Sequence, residues 1–129
     1  MTKPLTVESA AKTLNLDPKL FIKNVIRPTT VSPIFYASFT NETDLRAVEG
    51  EYSDDLKDRL RIVCAIIDYL ELIHPSHMSR VQWLHSKQPH LDDVAPIIML
   101  CGSTDQMNLV LMELAHISAA QETTQRQSS

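Results

Sequence analysis

Glycine is almost absent: Gly50 and Gly102 are the only two in 129 residues. A phosphate loop or a dinucleotide fingerprint needs clustered glycines to bring backbone close to a phosphate, so neither can be written here. Aromatic residues make up 5%. A sandwich or barrel calls for frequent turns and ring-bearing strands, and scarcity of both argues against an all-β fold. No apolar run approaches the ~18 residues of a membrane span, and no membrane partner is expected. The segment after Met1-Thr2-Lys3-Pro4 is polar-rich, unlike a signal peptide. Cys64 and Cys101 are the only cysteines, each inside an apolar run, where a free thiol packs as a small hydrophobe. The expectation is a cytoplasmic protein.

What is present suits one domain, with 43% hydrophobic and 22% charged residues and a net charge of −4. The charge is uneven. Residues 1–30 hold five basic against two acidic residues, +3, leaving −7 for residues 31–129. Such asymmetry suggests that the two parts face different partners.

The pattern predicts an all-α, compact multi-helix bundle with an irregular connector around residues 28–52. Thr6 is placed to cap a helix carrying Val7, Ala10, Ala11 and Leu14 on one face. Asp17-Pro18 starts a second helix with Leu20, Phe21, Val25 and Ile26. Together, residues 1–30 read either as a helix-turn-helix-like segment or as an ordinary αα-hairpin. Lys19, Lys23 and Arg27 form its DNA-facing candidates, suited to gripping phosphates but poor at reading bases. Residues 31–52 read as connector, with an extended piece over Val31–Phe39 and a short helix over Leu45–Val48.

Residues 53–117 carry the strongest helical signal. Ser53 precedes a long helix whose Leu56, Leu60, Val63, Ile67, Leu70 and Ile73 recur at three- and four-residue steps until Pro75 stops it. Ser76 starts a helix with Met78, Val81, Trp83 and Leu84; Pro96 starts another that ends at Gly102, a residue suited to a left-handed turn. Ser103 and Gln106 make a capping box for a last helix through Met107, Val110, Leu111, Leu114 and Ile117. Met78, Met99, Met107 and Met112 read by default as core packing, and on an exposed face would suit a partner groove. Residues 118–129, rich in Gln, Ser and Thr, read as a disordered tail.

Catalytic chemistry finds no foothold in these patterns. His74 and His77 straddle Pro75, no His-Glu-x-x-His exists, and His116 reads as the end of the last helix, where the dipole favours a cation. The adjacent pair Asp54/Asp55 fits a helix start, since helical neighbours point in different directions. No serine occupies a nucleophile elbow, and neither cysteine has a local base. A non-enzymatic protein without metal or cofactor is expected.

The order of elements from Leu56 to Ile117 resembles the toxin-binding domain of the Xre/MbcA/ParS antitoxin family. The resemblance runs through Arg61-Ile62 in the long helix, Trp83-Leu84, Pro89-His90-Leu91, Pro96 with Met99-Leu100, then Val110, Leu114 and Ile117. It covers about half the chain. Asp92-Asp93 stands where the family places a Gly-Gly pair, Asp105 where a glycine begins the last helix, and Ser118-Ala119 where a glycine and an aromatic follow it. The resemblance implies an antitoxin-like protein that neutralises a partner, in that family a RES-type toxin, by steric occlusion and represses its own operon. Trp83, Leu84, Leu91, Pro96 and Leu100 are then the partner-binding candidates, and a homodimer is expected. The alternative is a stand-alone inhibitor or adaptor that sequesters a transcription factor or other regulatory protein without touching DNA.

Overall fold

The computed structural model describes residues 5–26, 40–48 and 54–127, with side chains through Glu122. It is all-α: α1 (Val7–Leu14), α2 (Pro18–Leu20), α3 (Asp54–Ile73), α4 (His77–Leu84), α5 (Pro96–Leu100) and α6 (Thr104–Gln127). The described residues contain no strand, only the isolated bridges Thr6–Asp44 and Gln88–Val94.

Local chemistry sets the boundaries. The Thr6 hydroxyl accepts the Ser9 backbone N–H at 3.1 Å, and Asp17 accepts that of Lys19 at 2.8 Å with Pro18 leading α2. Beyond Leu20 the helix widens to π geometry over Phe21–Ile26. A turn of between four and five residues brings positions i, i+1, i+4 and i+5 to one side. Phe21, Ile22, Val25 and Ile26 hold those positions and all four are buried. Leu20, expected in the apolar stripe, is exposed instead.

α3 ends at Ile73, two residues short of Pro75, as its sequence predicts. Ser76 caps α4, accepting the Ser79 N–H at 3.1 Å. The capping box at Ser103 is reciprocal: Gln106 Oε1 accepts the Ser103 N–H at 2.9 Å, and Ser103 Oγ accepts the Gln106 N–H at 3.3 Å. Gly102 does not have the left-handed backbone expected of it; a Cβ there would meet Gln106 Oε1 at 1.8 Å. The glycine makes room for the cap.

α3 and α6 form the largest interhelical contact, and α1 packs on both α3 and α4. One core runs from Leu5 to Leu114, including Val7, Leu14 and Phe21 without exposed surface. Each large apolar side chain so buried contributes about 1.5–3 kcal/mol. Against a typical net stability of ~5–15 kcal/mol, the N-terminal helices are integral to the fold.

Three expectations are corrected. Leu45–Val48 forms turns and a bend, not a helix; it is held where Leu45 N–H donates to Leu5 O at 2.8 Å. α6 passes Ile117 and continues to Gln127, so the disordered tail expected from residue 118 is helix there. His116 accordingly sits in mid-helix, away from the dipole end. The expected extended piece over 31–39 and the Ser53 cap lie outside the described residues.

Candidate partner-binding surfaces

Most of the partner-binding candidates are interior. Leu84 and Leu100 have no exposed surface, and Leu91 and Pro96 are buried. Only Trp83 is part-exposed, and its carbonyl accepts Gln88 Nε2 at 3.1 Å. A buried side chain shapes a surface from beneath and does not itself reach a partner. Lys19 and Lys23 are exposed along α2 and the π segment; Arg27 lies outside the described residues.

The residue that organises this half is Arg59, which sequence reasoning missed. It is 1% exposed. Its Nε donates to Val25 O at 2.6 Å and its Nη1 to Gly102 O at 2.7 Å; Nη2 donates to Asn24 O and Leu100 O, each at 3.4 Å. These carbonyls close the π segment and α5, two helix ends that present negative dipole to the guanidinium. The signal was its position on α3, three residues after Leu56 and four before Val63. By contrast, Arg61, from the resemblance, is exposed and faces Asp58 at 3.7 Å.

The loop between α4 and α5 is set by backbone. A 3₁₀ turn over Pro89–Leu91 leads into Asp92 and Asp93, both left-handed at φ 56° and 59°. Two such residues in succession form a conformation that glycine adopts at least cost.

Two exposed surfaces flank this framework. On the first, Met78 is 81% exposed and, with Val81 and Gln82, faces Asn15 across a hollow of about 380 Å³. A neighbouring hollow of about 270 Å³ adds Lys12, His77 and Arg80 to its rim. The second lies along α6, where Leu109 is 49% and Met112 66% exposed, beside Leu72 of α3, also 66% exposed. The core role expected of the methionines therefore holds for Met99 and Met107 and fails for Met78 and Met112.

Behind the first surface, His74 stacks obliquely on Trp83, ring centroids 6.0 Å apart, with Nδ1 2.9 Å from Ser79 Oγ. Burial, then the charge of Arg80, pushes the His74 pKa down. Arg80 Nη1 donates to His74 O and Pro75 O, each at 3.0 Å, clamping the α3–α4 corner. On the opposite side Arg46 forks onto both carboxylate oxygens of Asp68. Burial pushes the neighbouring Cys64 thiol up to about 11, so it is protonated at neutral pH and unsuited to nucleophilic work.

The described residues hold no group of three or more His, Cys, Asp or Glu arranged for a metal ion, and no helix long and apolar enough to cross a membrane. Comparison with protein-family models, curated proteins and solved structures returned no match for the chain.

Proposed function

We propose that this chain is an antitoxin-like binding protein that neutralises a partner protein by covering its working surface. The observation that supports this reading is the left-handed pair Asp92-Asp93. It occupies the place of the resembled family's Gly-Gly, three residues before a Pro-led helix, with the conformation those glycines suit. A left-handed pair at this place is what a Gly-Gly would suit, and that supports the reading, although the glycines themselves are replaced.

The surface assigned to the partner is the one beside α4. Met78 offers a flexible apolar anchor beside His77, and Lys12 and Arg80 supply donors from the neighbouring hollow. A partner carrying an apolar knob flanked by carboxylates fits it. The test is co-purification with the product of the adjacent reading frame. A stable complex that protects cells from that product, and is lost in Met78→Asp with the fold retained, supports the reading. Absence of any complex overturns it.

A second reading, an adaptor that sequesters a regulatory protein without contacting DNA, is favoured by α2. That helix has a single α turn before the π segment, and among the described residues the exposed cations of the two are Lys19 and Lys23. Two phosphate contacts give a log–log salt slope of about −1.8, roughly a tenfold loss in affinity between 50 and 200 mM salt. Operator binding with at least that slope favours an autorepressing antitoxin; no operator binding at low salt favours the adaptor.

A further inference from the structure

The outward face of α6 carries large side chains on one side of His116 and small ones on the other. Leu109 and Met112 precede His116 by two turns and one turn; Ala119 and Ala120 follow it by one. Leu109, Met112, His116 and Ala119 recur at steps of three, four and three, the spacing of a helix-pairing seam. The core-facing side of the same helix is a separate stripe, Met107, Val110 and Leu114, all without exposed surface.

Beside Ala120 lies a hollow of about 790 Å³, lined by Leu72, Glu113, His116, Ile117, Ala120 and Gln121 among others. The knob at Met112 and the small-residue floor at Ala120 are each four residues from His116, about 6 Å along the helix in opposite directions. A two-fold axis through His116 would exchange them.

We infer that α6 is the interface of a two-fold symmetric homodimer, in which the helices pair antiparallel about His116 and Met112 of each copy enters the Leu72–Ala120 hollow of the other. Such an interface is isologous: the contact of 112 with 120 is made twice. The antiparallel direction is selected by size, because a parallel pair would set Met112 on Met112 and leave the alanines apart. It is selected by electrostatics as well: antiparallel pairing sets opposite dipole ends of α6 side by side, whereas parallel pairing opposes like dipole ends, Asp105 to Asp105 and Glu113 to Glu113. Pairing also covers Leu72, Leu109 and Met112, an exposed apolar group of the kind that marks interaction sites. This surface is distinct from the one beside α4, and the inference stands without any second protein.

Sedimentation of the purified chain, alone, tests it. The expected mass is twice 14.6 kDa. Met112→Glu, an exposed substitution that leaves the circular dichroism unchanged, weakens the dimer by at least about 30-fold. In a Cys64→Ala/Cys101→Ala background, His116→Cys oxidises to a covalent dimer because the axis passes through it. A monomer at 100 μM wild-type protein overturns the inference, and so does a dimer that Met112→Glu leaves intact. A Met112→Glu-sensitive dimer in which His116→Cys fails to cross-link overturns the antiparallel register.

Discussion

Arg59 Nη1 donates to the carbonyl of Gly102 across 2.7 Å, tying the middle of α3 to the residue that follows α5. Because the same guanidinium also serves Asn24, Val25 and Leu100, removing it strands several buried carbonyls at once. Arg59→Leu is expected to cost about 3–5 kcal/mol, read from urea denaturation. Arg59→Lys keeps the charge but loses the planar fork and recovers only part of that loss. Wild-type stability in Arg59→Leu would show that the contacts carry no weight.

The left-handed pair makes an opposite prediction. Asp92→Gly and Asp93→Gly relieve strain at φ 56° and 59° and are each expected to raise stability by about 0.5–1 kcal/mol. Asp92→Ala and Asp93→Ala keep the strain and gain nothing. Thermal unfolding of the four variants separates conformation from charge.

At Gly102, steric room and capping are the same property. Gly102→Ala puts a Cβ where Gln106 Oε1 sits, displacing the side chain that accepts the Ser103 N–H. The variant should lose about 1 kcal/mol, as should Gln106→Ala. The double variant should lose little more than either alone, since both remove one cap. Additive losses in denaturant melts would refute the shared cause.

His74 predicts a pH dependence of definite sign. Its pKa lies below the ordinary 6.5 in the fold, so as pH falls the unfolded chain takes up the proton first. The stabilising contribution is complete above pH 6.5 and is lost from there down to the folded pKa. Between pH 7.5 and 5, wild type should lose more stability than His74→Gln. Equal losses would remove His74 as the cause.

The sequence discloses what short-range chemistry decides. Thr6, Asp17, Ser76 and Ser103 start helices because each cap acts within two or three residues, and Pro75 and Pro96 act on their own turns. The fold class was legible for that reason. Arg59 was not, because its acceptors lie 34–43 residues away and no local pattern names them. The widened turn at Phe21–Ile26 follows from burying four residues that an α turn would splay. The stretch after Ile117 lacks large apolar residues but includes Ala, Gln and Glu, whose helix propensity lets α6 continue. At the surface, Met112 and Met107 share one helix and one residue type, and only tertiary packing tells them apart.

The backbone bonds from Leu45 to Leu5 and from Val7 to Thr43 join parts of the chain that lie far apart in sequence. Cutting the polypeptide anywhere from 27 to 39 therefore removes one covalent link and none of these bonds, nor the grip of Arg59 on Val25. The two pieces should remain a single particle through gel filtration and, once separated in denaturant, find each other again on mixing. On that expectation the protein would behave as a complementing pair of fragments, with the peptide link raising their effective concentration.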